Sequence, residues 1–285
     1  MSTFAAPEEP PFVSKTARAP SARFCVAVKG GALIGELRGS GPPVVLVHGM
    51  GGSRKDWVRL VGAMADNEAT RSYSTTAYDL RGFGESSAEK GVPFSHAEDL
   101  RALMDKRGLA TASLVGLSMG GAIALNFALN HPERVSHLIL ISPAMNGWQW
   151  SAEWKAIWAN VAKAARAGDV ELARKRWLDH PMFDAVRNSA AGDELRQAIE
   201  AYHGRQWISD DQRHELPDIE RLHELQMPTL LLTGGRDVED MRLIGSVIDA
   251  ASPHVTRIDF ADAGHMLALE RPADVARAIG SFLQN

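Results

Sequence analysis

Ser118 lies in the stretch Gly116-Leu117-Ser118-Met119-Gly120, which follows an apolar run and precedes a helical pattern. This spacing matches G-x-S-x-G, in which a sharp turn from strand to helix exposes a serine hydroxyl as a nucleophile. The two glycines leave room for the strand and the helix to come close together. Because Met119 begins the predicted helix, its backbone N–H has no partner within that helix and can face a developing oxyanion. A glycine-rich turn with an inert serine is the alternative interpretation.

A serine nucleophile needs a base, since its hydroxyl reacts poorly near neutral pH. Of the ten histidines, His265 lies in a loop that follows the last predicted strand. That position places it at the carboxyl edge of a parallel sheet, which is also the edge where Ser118 is expected. Four other histidines fall in a polar helical stretch and are better explained as surface residues: His180, His203, His214 and His223.

The third member of such a site is a carboxylate that orients the imidazole and stabilises its charged form. Asp237 follows the apolar run "LLLTGGR" directly, again at the end of a predicted strand. Asp240 is the alternative, although it could cap the next helix instead. Asp262 has the character of a turn residue. Position at the strand end favours Asp237.

Apolar runs alternate with helical patterns along most of the chain. Near-continuous apolar strands of this kind are typical of a mainly parallel sheet with helices on both faces, and so of an α/β fold. Ser53 and Asp56 match a capping box at the start of the first helix, and Cys25 fits a buried core position. The predicted strands lie at 24–30, 32–39, 43–49, 73–80, 112–116, 137–142, 228–235 and 254–260, and the predicted helices begin near residues 53, 96, 119, 240 and 272.

The alternation stops after Pro143, and the pattern is helical from there to about residue 225. We therefore predict a loose N-terminal arm at 1–22, an α/β core at 23–143 and 226–285, and a helical cap at 144–225. The cap holds six of the seven tryptophans. Trp150, Trp154 and Trp158 have the spacing of one helical stripe, which favours packing between cap and core. Placed above the serine, the cap would also line a partly apolar substrate pocket, with these candidates: Met145, Trp148, Trp150 and Trp154.

The order Ser118, Asp237, His265 is that of the α/β-hydrolase triad, and the motifs around it resemble the α/β-hydrolase superfamily. "HGMGGS" (48–53) and "YDLRGFGESS" (78–87) are similar to two of its loop segments, and "GLSMGG", "GGRD" and "AGHMLALERP" complete the set. The resemblance implies an eight-stranded type of sheet and a capped serine esterase or lactonase. It also implies an oxyanion hole made by the backbone N–H groups of Met50 and Met119, and no cofactor.

Composition narrows the range of partners. The 285 residues carry a net charge of -4 with no basic run, so no nucleic-acid partner is expected. One cysteine excludes an intrachain disulfide, and no metal-ligand spacing or phosphate-binding glycine loop occurs. No apolar run is long enough to span a membrane, and the N-terminal stretch with Glu8 and Glu9 does not match a signal peptide. We expect a small-molecule substrate and a cytoplasmic protein, and the oligomeric state stays open.

The residues therefore predict a serine hydrolase that cleaves a carboxylic ester or a lactone through an acyl-enzyme. The same triad could hydrolyse a carbon–carbon bond, transfer an acyl group or form a peracid. A non-catalytic ligand receptor of the same fold is the alternative from another class. Epoxide hydrolysis and dehalogenation are disfavoured, because this family uses an aspartate for them where this chain has Ser118.

Overall fold

The computed structural model describes residues 21–209 and 211–284. The predicted N-terminal arm lies almost entirely outside these residues. Within them, nine strands form one sheet in the order β1-β2-β4-β3-β6-β7-β8-β9, and β5 pairs with β2. The strands are β1 Ala22–Val28, β2 Gly31–Arg38, β3 Pro43–Val47, β4 Ser74–Tyr78, β5 Ser87–Ala88, β6 Ala112–Leu117, β7 Val135–Ile141, β8 Thr229–Gly234 and β9 Val255–Phe260.

The six strands from β4 to β9 along this order pair in parallel, and only the pairings made by β2 are antiparallel. All residues of β6 and β8 are buried, because helices cover both faces of the sheet. Parallel pairing brings the carboxyl ends of β3, β6, β7 and β8 to one edge. The predicted mainly parallel sheet is confirmed.

The helices alternate with these strands as the sequence predicts, and they pack on both faces. A 3-10 turn at Arg54–Trp57 precedes the first helix, and Ser53 and Asp56 form the predicted capping box there. Two elements were too short for the pattern to predict, namely β5 and α10. The helices are α1 Val58–Asp66, α2 His96–Lys106, α3 Met119–Asn130, α4 Ala152–Arg166, α5 Val170–Leu178, α6 Asp184–Arg187, α7 Gly192–Ala201, α8 Arg205–Ile208, α9 Glu239–Ala251, α10 Leu267–Glu270 and α11 Pro272–Leu283.

Cys25 does not lie in the core. It is exposed on β1, while Val26 beside it is buried. Successive side chains of a strand point to opposite faces, and on this edge strand the face of Cys25 is open to solvent. The prediction of a buried thiol is therefore wrong.

Residues 144–225, called here the helical segment, connect β7 to β8. Its described residues contain the helices α4 to α8 and no strand, apart from one isolated bridge between Phe94 and Gln212. The segment packs on loops at the carboxyl edge: Gln206 Nε2 donates to the Gly82 carbonyl at 3.1 Å, and a Cβ on Gly51 would lie 3.2 Å from Trp177 Nε1. We keep the division into core and cap as a proposal.

One detail of the tryptophan pattern differs from prediction. Trp150 precedes α4, whose N-cap is Ser151, so it is not part of a three-residue helical stripe. Its ring stacks on that of Trp154 with a centroid distance of 4.3 Å, and Trp158 meets Trp177 edge-on. No helix within residues 21–209 and 211–284 has both the length and the apolar character to cross a bilayer.

Candidate active site

Ser118 occupies a strained turn between β6 and α3. Its backbone has φ 55° and ψ −120°, a conformation that side chains rarely adopt outside functional sites. Gly116 and Gly120 permit it, as the sequence predicts: a Cβ on Gly116 would lie 2.3 Å from the Gly120 carbonyl oxygen, and one on Gly120 would lie 2.0 Å from the Val47 oxygen. The close approach of helix to strand thus forces the serine onto the turn, where it is 7% exposed.

The loop after β3 lies beside this serine. Gly52 N–H donates to the Gly49 carbonyl at 3.2 Å, which closes a tight turn around Met50. A Cβ on Gly49 would lie 3.2 Å from the Cβ of Ser118, so the Met50 backbone runs close to the hydroxyl. Met119 is the first residue of α3, where backbone N–H groups have no partner within the helix. The two proposed oxyanion donors therefore flank one serine.

His48 fixes this loop and is no proton carrier. Its Nδ1 lies 2.8 Å from the Gly49 oxygen, and its Nε2 accepts from Leu80 N–H at 3.0 Å. Burial lowers the pKa of His48 below its ordinary value. Asp79 accepts from the Arg54 backbone N–H at 2.8 Å, and Arg81 pairs with Asp99. These contacts hold the loops after β3 and β4.

His265 and Asp237 meet at the same edge. His265 Nδ1 lies 2.8 Å from Asp237 Oδ2, and the side chains are 1% and 2% exposed. The second ring nitrogen, Nε2, is buried and bonds no described residue. A carboxylate on one nitrogen and a free second nitrogen is the arrangement of a histidine that accepts a proton from a nucleophile.

Glu270 holds the His265 loop, and sequence reasoning missed it. Its carboxylate accepts from the backbone N–H groups of Gly264 and Met266, at 2.9 and 3.0 Å. The loop also packs tightly on the end of β8, because a Cβ on Gly234 would lie 2.0 Å from the Gly264 oxygen. The sequence signal that could have identified Glu270 is its place in the "AGHMLALERP" motif.

Asp240, the alternative acid, has a different set of partners. Its carboxylate accepts from Trp148 Nε1 at 3.0 Å and from Ser151 Oγ at 2.6 Å. Both donors belong to the helical segment, so Asp240 attaches that segment to α9. Asp237 is the carboxylate that the structure places on His265.

His180 is buried, and the prediction that it is a surface histidine is wrong. Its ring packs edge-on against Trp154 and Trp177, with centroid distances of 4.8 and 5.5 Å, and its Nδ1 accepts from Met182 N–H. Burial, together with the charge of nearby His265, lowers the pKa of His180 to about 4. The other three histidines predicted at the surface are exposed: His203, His214 and His223.

Two cavities lie between the helical segment and the core. The first, about 180 Å³, is lined by Met119, Ala144, Met145 and Trp150 among others. The second, about 200 Å³, is lined by Trp154, His180 and Asp240 among others. Ser118 and His265 do not line either cavity, and the first is next to the serine only through Met119 and Ala144. Of the four pocket candidates, Met145 and Trp150 line this first cavity and Trp154 lines the second. Trp148 lines neither cavity, and its indole N–H donates to Asp240.

The described part of the chain offers no set of metal ligands. Among the residues that the structure describes, no three histidine, cysteine, aspartate or glutamate side chains come together as a set of metal ligands. The polar atoms at the candidate site are a hydroxyl, an imidazole, a carboxylate and backbone N–H groups.

Known proteins resemble this chain over most of its length. A family model described as the alpha/beta hydrolase fold matches residues 42–272, so the chain belongs to that family. It is 29% identical over 253 residues to the carboxylesterase YbfK of Bacillus subtilis, covering 85% of this chain and 80% of that protein. The structure of a thermophilic esterase from Thermogutta terrifontis superposes with a TM-score of 0.76 at 26% identity, covering 93% of this chain and 98% of that one.

A further relative is longer than this chain. The dihydrolipoyllysine-residue acetyltransferase component of the acetoin cleaving system of Pseudomonas putida is 31% identical over 260 residues, which is 87% of this chain. The match spans only 65% of the length of that relative. Proteins similar to this chain are therefore named for ester cleavage and for acyl transfer, and the fold alone does not separate the two reactions.

Proposed function

We propose that this protein is a serine hydrolase that cleaves a carboxylic ester, or a lactone, through an acyl-enzyme. Ser118 is the nucleophile, His265 is the base, and Asp237 orients the imidazole. The backbone N–H groups of Met50 and Met119 bind the oxyanion. The substrate is a small, partly apolar molecule that binds under the helical segment.

In the first half-reaction, Ser118 Oγ attacks the carbonyl carbon while His265 Nε2 takes the hydroxyl proton. Asp237 accepts the hydrogen bond from Nδ1–H and stabilises the imidazolium that forms. The carbonyl oxygen becomes an oxyanion between the Met50 and Met119 N–H groups. When the intermediate collapses, His265 donates its proton to the leaving alcohol and Ser118 keeps the acyl group.

In the second half-reaction, water attacks the acyl-enzyme and His265 takes a proton from it. A second oxyanion forms and collapses, the proton returns to Ser118 Oγ, and the carboxylic acid leaves. No cofactor enters this sequence. An acyl acceptor other than water would convert the same site to a transferase.

The observation that carries this proposal is the pairing of His265 Nδ1 with Asp237 Oδ2 at 2.8 Å, with Nε2 left free. The pairing fixes the tautomer, because a proton on Nδ1 leaves Nε2 as an acceptor. Ser118 supports it by its positive φ, which is shared by only one other non-glycine residue of the described chain, Ser142. The esterase relatives add support from similarity.

Fluorophosphonate labelling followed by peptide mapping tests the nucleophile, and turnover of p-nitrophenyl esters tests the reaction. We expect a single adduct on Ser118 and hydrolysis that the same reagent blocks. Product analysis with added alcohol measures how much acyl group goes to water and how much to the acceptor. No adduct and no turnover would favour the non-catalytic receptor, and an adduct elsewhere would overturn Ser118.

A further inference from the structure

The cavity beside Ser118 has a polar wall that the proposed mechanism does not use. Two of its lining residues, Met119 and Ala144, lie next to the serine: Met119 follows it in sequence, and Ala144 N–H donates to the Ser118 carbonyl at 2.9 Å. Because both residues adjoin Ser118, we infer that a substrate group in this cavity would lie near the carbonyl that Ser118 attacks. The apolar wall includes Met145 and Trp150.

His96, at the start of α2, lines the same cavity. Its side chain is buried, and neither ring nitrogen bonds any residue that the structure describes. Burial lowers the pKa of His96 to about 3, so the ring is neutral at physiological pH. A neutral imidazole offers one donor and one acceptor. Leaving both unpaired in a protein interior is costly, and such a group calls for a ligand.

Among the described residues that line this cavity, Glu215 is the one with a carboxylate. It lies in the helical segment, far from His96 in sequence. Its Oε1 atom is buried and accepts no hydrogen bond from the described residues. An unpaired carboxylate oxygen in a partly closed cavity attracts a hydrogen-bond donor and repels an anion.

No described residue that lines the cavity is a lysine or an arginine. Two arginines lie near the walls, and both are paired: Arg221 with Asp218 at 2.8 Å, and Arg81, whose charge acts on His96, with Asp99. Asp218 also accepts from the side-chain amides of Asn126 and Asn146, at 2.8 and 2.7 Å. The positive charge there is thus compensated, and the cavity keeps a net acceptor character.

We propose that His96 and Glu215 form a subsite for a hydrogen-bond-donating group of the substrate, a hydroxyl or a protonated amine, and that this subsite rejects carboxylates. The inference rests on the proposed ester hydrolysis and specifies its substrate class. Glu215 accepts from the donor group, His96 completes the contact, and Trp150 covers the apolar remainder. Trp150 can add a cation–π contact to an amine.

Matched esters test the subsite. We would measure kcat/KM for methyl esters of six-carbon acids that end in ammonium, hydroxyl, methyl or carboxylate, and for six-carbon alkyl acetates with the same four ends. In at least one series we expect the ammonium or hydroxyl ester to exceed the carboxylate ester about 100-fold. Comparison of the ammonium ester with the hydroxyl ester shows which of these two groups the subsite prefers.

Variants assign the effect to Glu215. Glu215→Gln keeps the shape and removes the charge, and it should lower the ratio of ammonium to carboxylate kcat/KM at least tenfold. Glu220→Gln is the control, because Glu220 is an exposed carboxylate five residues further along. The subsite would be overturned by equal kcat/KM values for the four terminal groups. It would also be overturned if Glu215→Gln left the ratio of ammonium to carboxylate kcat/KM unchanged.

A binding measurement keeps this inference separate from the proposed reaction. Hexylamine and hexanol should raise the melting temperature of the parent protein more than hexanoate does, and Glu215→Gln should reduce that difference. If no ester is hydrolysed, the proposed hydrolase function is wrong. The melting-temperature experiment still tests the subsite in that case. Equal shifts with the three compounds would overturn it.

Discussion

The carboxyl edge of the sheet and the helical segment above it are built by different means. At the edge, backbone geometry sets each position: Ser118 stands on a turn that glycines permit, and His265 is held by a loop that Glu270 ties through two backbone N–H groups. In the helical segment, side chains make the attachment. Trp148 and Ser151 bind Asp240, and a cluster of aromatic rings surrounds His180.

This difference teaches which changes each region tolerates. A site defined by the backbone keeps its geometry only if its strands and turns are unchanged, so we expect the chemistry to depend on the edge. A region attached by side chains can exchange them at moderate cost, so we expect the helical segment to set the substrate preference. Two aspartates only three residues apart differ in this way. Asp237 pairs with His265 at the edge, and Asp240 binds Trp148 and Ser151 of the helical segment.

The strongest test of the edge is Ser118→Ala. It should abolish ester hydrolysis and fluorophosphonate labelling, since loss of a triad nucleophile costs on the order of a millionfold in rate. Ser142→Ala is the matched control, because Ser142 also has a positive φ and is buried at the end of the neighbouring strand. Ser118→Ala with a tenth of the parent rate, or loss of labelling in Ser142→Ala alone, would contradict the assignment.

The two aspartates provide the next test. Asp237→Asn should lower kcat/KM about ten-thousandfold, because an amide favours the wrong tautomer of His265. Asp240→Asn should lower it less than tenfold and instead reduce the free energy of unfolding by roughly 1–3 kcal/mol, since it weakens hydrogen bonds to a buried carboxylate. Steady-state kinetics and urea unfolding of both variants measure this. The reverse ranking would move the triad acid to Asp240.

Acid should weaken the packing around His180. Because its pKa is about 4 in the folded protein and 6.5 in the reference state, the unfolded chain takes up the proton first as the pH falls. The free energy of unfolding should therefore decrease between about pH 6.5 and 4 and level off below, by roughly 3 kcal/mol at most from this residue.

His180→Phe isolates that contribution. Urea unfolding at pH 7 and pH 4.5 should show a smaller loss of stability in this variant than in the parent. His223→Phe serves as the control, since His223 is exposed. An equal loss in His180→Phe and in the parent would show that His180 does not titrate as described.

The smallest expected effect concerns the pocket. Each methylene that enters an apolar site is worth about 0.8 kcal/mol, or roughly fourfold in kcat/KM, so preference along p-nitrophenyl esters should climb and then collapse when the cavity is full. Trp150→Ala should shift that maximum to longer chains, because Trp150 lines the cavity beside Ser118. Trp148→Ala should leave the preferred chain length unchanged and reduce the free energy of unfolding. Identical profiles would return Trp150 to a packing role.

Much of the carboxyl edge of the sheet could be predicted, because the sequence motifs that define it are short and local. An apolar run followed by Gly-x-Ser-x-Gly, or by Gly-Gly-Arg-Asp, places a residue at a strand end without knowledge of its neighbours. Parallel pairing then brings those strand ends together. The sequence alone also determined the alternation of strands and helices and the capping box at Ser53, since each depends on residues a few positions apart.

Tertiary structure alone decided what depends on contacts between distant segments. The exposure of Cys25 follows from its place on an edge strand, and the burial of His180 follows from packing against Trp154 and Trp177. The choice between Asp237 and Asp240 as partner of His265 required the loops after β8 and β9 to be placed side by side. Likewise, His96 and Glu215 lie more than a hundred residues apart, and periodicity carries no information about which side chains at that separation share a cavity.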